Sequence, residues 1–289
     1  MLLVNQLFNG LNSAAILSLT SLGIVVILGN MGIVNLAHGE CIMLGAYICY
    51  LCTTVLKLPF LISIPIAFCL LGLFGILVNQ FMLKKLMMKN GGKVAETMLA
   101  TYGLSLILKQ GTKMIFGANL QYVDNPFQGT IKLGTVLIPI YNMVVVLVAV
   151  LVLLATAFLF FKTSFGRQMR ATTGNRGMTE CLGINTGKID NFTFAYGFGL
   201  AGIAGVMIAP VLGVTPFLGE KYLTNAFMNV IVGGLNSLLG TGLSSVLIGE
   251  SITVLSGFSN EINAKLLVFI IVIILIRFKP QGLFTKERR

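Results

Sequence analysis

Charged side chains are scarce. Only 10% of the 289 residues are Asp, Glu, Lys or Arg, against about 25% in an ordinary soluble domain. The chain holds nine acids and one histidine. That poverty excludes a large soluble catalytic or nucleotide-binding domain, and one histidine without metal-ligand spacing argues against an embedded metalloenzyme. No G-x-x-x-x-G-K-[ST] phosphate loop is present, so ATP hydrolysis belongs elsewhere. Cysteine is also sparse: Cys41, Cys49, Cys52, Cys69 and Cys181 mostly sit in apolar sequence. The C-x-x-C spacing of Cys49 and Cys52 lacks a βαβ context, so these residues read as small core or lipid-facing groups. No basic region precedes the first apolar stretch, which is therefore expected to stay in the mature chain.

What remains is apolar: 56% hydrophobic residues and a mean hydropathy of +0.93. That is enough for about eight crossings of roughly 20 residues each. Apolar stretches run over 11–29, 36–56, 60–82, 95–116, 138–161, 190–213, 223–236, 238–256 and 264–277. They are far longer than barrel strands, and open sheet edges do not survive in lipid. The fold class is all-α: a polytopic integral membrane protein with about eight to nine transmembrane helices, some broken or short. The segments 223–236 and 264–277 are the short ones. A single membrane domain spans 1–289, and the longest outer connection, 117–137, is expected to carry a surface hairpin or half-helix.

The formal net charge is +11, which fits the positive-inside bias better than nucleic-acid binding. Lys84, Lys85, Lys89 and Lys93 form one basic loop. Lys162, Arg167, Arg170, Arg176 and Lys188 line a second, and Arg277, Lys279, Lys286, Arg288 and Arg289 close the chain. These are fourteen of the twenty basic residues, so all three regions are expected to be cytoplasmic, with the C-terminus inside and the N-terminus outside.

Three polar interruptions need explaining. Asn30 to Glu40 carries the histidine and a carboxylate beside an apolar stretch, which costs desolvation energy unless they find partners or water. His38 and Glu40 are two apart and do not share a helix face, so a newly starting helix fits better than a catalytic pair, with Asn35 as candidate N-cap. A structural polar network and contact with a translocation path both fit this cluster. The segment 162–188 is punctuated by Gly174 and Gly177, and Met178, Cys181 and Leu182 share a helical face. An exposed apolar face on a basic loop favours a protein partner. In the third stretch, Gly213 to Phe227, Pro216 and Gly219 suggest an outer loop and Thr224 or Asn225 a cap.

These residues resemble the permease subunits of bacterial branched-chain amino-acid and urea ABC importers. The resemblance rests on Asn35-Leu36-Ala37-His38-Gly39-Glu40 with Met43 to Tyr47, on Phe165-Gly166-Arg167 with Met169-Arg170-Ala171, on Leu182-Gly183-Ile184-Asn185-Thr186, and on Arg277 with Lys279 to Phe284. It covers nearly the whole chain. Thr215-Pro216, Leu218-Gly219, Tyr222, Asn225 to Met228, and Asn175-Arg176 before Met178 and Cys181 resemble the urea branch most. Asn229 departs from the pattern, standing where an apolar residue is expected.

The resemblance implies a permease that gates a path for urea or short-chain amides, with branched-chain amino acids as the alternative. A stand-alone carrier or channel fits less well, because the charged relay within the spans is thin. The path would be lined by Asn35, His38, Glu40, Thr215 and Asn225. Arg167, Arg170, Asn175, Arg176, Met178, Glu180 and Gly183 would couple to an ATPase within the segment 162–188. The implied partners are a homologous second permease, two cytoplasmic ATPase subunits and an extracytoplasmic solute-binding protein, handling a small neutral or zwitterionic solute and no nucleic acid. This chain would bind no cofactor, ATP and magnesium being used by the ATPase subunits. The bacterial inner membrane is the implied location.

Overall fold

In the computed structural model each of the nine apolar stretches is helical, because in lipid only a helix satisfies its own backbone. The structure describes residues 2–86, 94–133, 136–279 and 282–284. The basic residues Lys89, Lys93, Lys286, Arg288 and Arg289, and the motif residues Pro280 and Gln281, lie outside the described residues. The membrane-type helices are α1 (Leu2–Met31), α2 (His38–Tyr50), α3 (Phe60–Val78), α4 (Val94–Phe116) and α5 (Ile140–Lys162). After the short α6 (Ser164–Gly174) and α7 (Arg176–Cys181) come α8 (Thr186–Leu212), α9 (Leu218–Gly233), α10 (Leu238–Ser256) and α11 (Glu261–Phe278). Five of these, α1, α3, α5, α8 and α10, are long and apolar enough to cross a membrane by length and composition. Helices α2 and α3 each end in a single π-helical turn, Leu51–Val55 and Asn79–Leu83. The hairpin expected within 117–137 is present as β1 (Thr130–Leu133) paired antiparallel with β2 (Val136–Pro139).

Helix α8 is the axis of the molecule. Nearly every residue from Gly197 to Ala209 is buried, and α1, α2 and α3 pack around it. Glycines make the approach possible: a Cβ on Gly205 would run into the Ile42 carbonyl, and one on Gly45 into the Gly202 carbonyl. Small residues at such crossings let backbones meet, which is how helices associate when lipid is as apolar as their side chains. The outer helices turn bulky apolar residues outward, as with Leu147, Leu151, Leu154 and Phe158 on α5, which suits a lipid-facing surface.

Two helices begin inside the bundle. After α1 ends, residues 32–35 form an irregular return and 36–37 a turn, and α2 starts at His38, whose side chain meets Thr20 and Gly23 of α1. Eleven residues of helix separate Thr20 from Met31, so α2 starts about 16 Å back from the end of α1. The backbone of this return is satisfied by α4 and by itself: Leu36 N–H donates to Thr101 Oγ1 at 3.2 Å and Ala37 N–H to Asn35 Oδ1 at 3.0 Å. Helix α9 mirrors this. Val214 pairs with Gln121 near the hairpin end, yet Gly219 lies against Gly39, each ideal Cβ falling 2.5–2.6 Å from the other's carbonyl oxygen. The Gly213 to Gly219 segment therefore descends into the bundle rather than forming the outer loop expected from Pro216 and Gly219. This re-entry is why the stretch 223–236 reads short.

Candidate functional site: the buried junction of α2, α4 and α9

The starts of α2 and α9 bring Asn35, His38 and Glu40 to one buried junction. His38 is wholly buried and directs Nε2 to the Thr20 carbonyl at 3.2 Å. A carbonyl only accepts, so Nε2 carries the proton and Nδ1 is left as an acceptor. Glu40 is 2% exposed and accepts a hydrogen bond from Ser105 Oγ at 3.1 Å on α4. The two side chains thus point to different neighbours, α1 and α4, as their two-residue spacing predicts. Asn35 is buried too, but it sits two residues before the N-cap position, which Ala37 occupies without a side-chain cap. Its Oδ1 closes a local turn onto Ala37. Asn35 Nδ2, His38 Nδ1 and Glu40 Oε2 have no hydrogen-bond partner among the described residues.

Helix α4 covers the junction with its polar side. Thr97, Thr101, Ser105 and Thr112 are buried, while Leu99, Tyr102, Leu106 and Ile107 on the other faces are exposed. One turn beyond Ser105, Lys109 forms a 2.5 Å ion pair with Glu220 of α9 and lies 5.1 Å over the Phe217 ring. Of the other path candidates, Thr215 is half-buried in the descending segment, where its carbonyl accepts from Leu218 N–H at 3.1 Å. Asn225 is half-buried on α9, about 9 Å of helix rise beyond Gly219. Asn35, His38 and Glu40 are thus all buried at the start of α2, with His38 facing α1 and Glu40 facing α4, while Thr215 and Asn225 are half-buried before and within α9.

The basic segment 162–188 is built from two capped helices. Thr163 accepts from Gly166 N–H at 3.1 Å to start α6, and Asn175 accepts from Met178 N–H at 3.0 Å to start α7. Gly183, at φ +80°, ends α7 in the left-handed conformation that glycine adopts without strain. Arg176 pairs with the buried Asp190 at 2.5 Å and approaches Glu180 at 3.6 Å. Glu180 accepts from Thr186 Oγ1 at 2.5 Å. Arg170 donates to the Phe160 carbonyl and lies 5.8 Å from the Phe161 ring. Arg170, Asn175, Arg176, Glu180 and Gly183 therefore shape the segment, whereas Arg167 and Met178 are exposed. Met178, Cys181 and Leu182 form the expected outward apolar face.

The model of the family described as branched-chain amino acid transport system / permease component matches residues 6–277. The chain belongs to this family. The permease is 25% identical to the high-affinity branched-chain amino acid transport system permease protein BraD of Pseudomonas aeruginosa, over 98% of this chain and 96% of the relative. It is 23% identical to the LivH permease protein of Escherichia coli K12 over the same shares. With a ribose import permease protein, RbsC of Haemophilus influenzae, identity is 27% over 89% of this chain and 77% of the relative. No solved structure matches. These relatives are membrane transport permeases rather than enzymes, and the apolar helices agree with a multi-pass membrane protein.

Sequence reasoning missed much of the permease's polar interior. Asn229, the departure from the family pattern, is fully buried and joins three helices: its Nδ2 donates to Ser21 Oγ (3.0 Å) and the Thr241 carbonyl (3.2 Å), and its Oδ1 accepts from Ser244 Oγ (2.6 Å). Asn30 links Thr193 and Thr173, both at 2.9 Å. Thr101 and Ser105 were read only as part of an apolar stretch, and Lys109 as a lysine in or near the outer interface. Their spacing of four was the available signal, since it marks one polar face on a membrane helix.

Proposed function

We propose that the chain is the permease of an ATP-driven importer of branched-chain amino acids. The observation that carries this reading is similarity along nearly the full length of both chains to permease proteins named for branched-chain amino acids. The urea assignment read from Thr215 to Met228 draws no support from these relatives, and the amino-acid alternative replaces it. The solute would pass the α2–α4–α9 junction, where buried Asn35, His38 and Glu40 keep polar atoms at depth; such groups inside a membrane mark solute pathways. Thr215 and Asn225 would line its two sides. Partner ATPase subunits would supply the energy with ATP and magnesium, seated on α7 through Met178 and Leu182. A second permease and a solute-binding protein would complete the assembly in the inner membrane, with the basic segments and the C-terminus cytoplasmic.

The test is uptake of labelled leucine and labelled urea by vesicles carrying the complete native subunit set, beside an ATPase-dead control. ATP-dependent leucine uptake well above urea uptake is expected. Urea uptake without leucine uptake would overturn the amino-acid reading and restore the urea branch.

A further inference from the structure

We infer that the junction of α2, α4 and α9 is a binding station for the zwitterionic head of an α-amino acid, its ammonium at Glu40 and its carboxylate at the helix starts beside Asn35. This rests on the amino-acid reading above and adds to it the chemistry of recognition.

Two helices start at this point inside the bundle, and Gly39 and Gly219 bring those starts into contact. The first N–H of each helix is taken, His38 by the Asn35 carbonyl and Leu218 by that of Thr215; the remaining first-turn N–H groups have no intrahelical acceptor, and the helix dipole makes each start electropositive. Anions settle at such ends, and broken membrane helices use them for carboxylates. The independent observation is the set of orphaned side-chain atoms. Asn35, 4% exposed, offers an unpartnered amide donor in Nδ2, and Glu40, 2% exposed, offers an unpartnered acceptor in Oε2. One donor and one acid acceptor beside two electropositive helix starts match a ligand bearing one carboxylate and one ammonium.

Charge counting agrees. Three ionisable side chains lie about this junction: Glu40, Glu220 and Lys109. Lys109 is paired with Glu220 at 2.5 Å, so among the described residues the direct side-chain partner of Glu40 is the Ser105 hydroxyl. A buried carboxylate without a countercharge is costly, and an arriving ammonium supplies one. Urea carries no charge to do so. Helix α4 meets the junction through hydroxyls, Thr101 with Leu36 and Ser105 with Glu40, while its Leu104 and Phe116 pack on the apolar core. Those hydrogen bonds can be exchanged for bonds to a passing solute, which an apolar seam cannot offer.

The experiment uses the complete importer, with receptor and ATPase subunits, in proteoliposomes. Glu40→Gln keeps the shape and removes the charge. It is expected to lower leucine uptake at least tenfold at equal abundance of the assembled complex. Wild-type leucine uptake by this variant at equal abundance overturns the station and leaves the importer reading intact. A wild-type complex that moves urea and no leucine overturns the importer reading instead, and the station with it.

Should Glu40→Gln fail to assemble, Ser105→Cys decides. Alkylation of that peptide, read by mass spectrometry in the turning-over complex, is expected to slow with leucine but not with 4-methylpentanoate or 3-methylbutylamine, which carry one charge each. Equal slowing by all three, or by none, overturns the proposal.

Discussion

At the residue scale, the buried polar groups separate into those that are satisfied and those that are not, and the difference sorts structure from transport. Asn229 belongs to the first kind, tying Ser21 on α1 to Thr241 and Ser244 on α10. Asn229→Leu keeps the branching of the side chain but is bulkier, and it removes the bonds to Ser21 and to the Thr241 carbonyl and the acceptor of Ser244, while both serines keep backbone acceptors. Each lost hydrogen bond costs about 0.5–1.5 kcal/mol, so a lower melting temperature in detergent is expected, with transport per folded complex unchanged. The Arg176–Asp190 pair yields a sharper contrast. Asp190 is 7% exposed and Arg176 42%, so removing the arginine leaves a buried charge, whereas removing the acid leaves a cation that reaches water and Glu180. Arg176→Gln is therefore expected to destabilise by about 1–3 kcal/mol, less than for a fully buried pair, and Asp190→Asn by less again. Thermal melts of both variants at equal pH check the order; the reverse order would show that the arginine is not needed to hold Asp190.

At the element scale, the short helices α6 and α7 repay attention to what their side chains already hold. Charge reversal at Arg170 or Arg176 breaks contacts to Phe160 or Asp190, so it tests folding together with coupling. Met178 and Leu182 are 64% and 72% exposed, so changing them disturbs little within the chain. Leu182→Asp is expected to reduce receptor-stimulated ATP hydrolysis at least fivefold while membrane abundance holds. Unchanged stimulation would show that the ATPase sits elsewhere.

Much of this level was legible beforehand. Long apolar runs give helices in lipid, and a spacing of three and four placed Met178, Cys181 and Leu182 on one face. For the connection 117–137 a hairpin and a half-helix were both open, and the strands form at 130–139, later than its Asp, Asn and Pro residues. The re-entry of α2 and α9 was only half legible. Polar residues at 30–40 and a short run at 223–236 signalled interruption, but depth is set by tertiary contacts such as Gly39 on Gly219. The inward stripe on α4 hid for a related reason. Hydropathy averages over a turn, and threonine and serine barely lower it.

At the scale of the whole molecule, charge and geometry give one polarity. The C-terminal ends of α3 and α5 and the N-terminal end of α8 carry Lys84, Lys85, Lys162 and Lys188. The tail returns to this side, where Leu283 N–H donates to the Val232 carbonyl at 2.8 Å and Gly282 packs on Gly234. This contact explains how the turn at Gly233 to Asn236 holds its place without a basic residue of its own. The opposite end carries the β1–β2 hairpin, the Gln121–Val214 bridge and Asp124. The positive-inside bias predicts that the end where basic residues concentrate is the cytoplasmic one, as proposed above. With the five native cysteines replaced, among them the exposed Cys69 and Cys181, single cysteines at Asp124 and Arg167 should report opposite sides. Both positions are exposed, and Arg167 is chosen over Arg176 because it takes no part in the Asp190 pair. An impermeant maleimide is expected to label position 124 in intact spheroplasts and position 167 only after permeabilisation. The opposite pattern would invert the molecule, put α7 and its apolar face outside the cell, and remove the ground for seating an ATPase there.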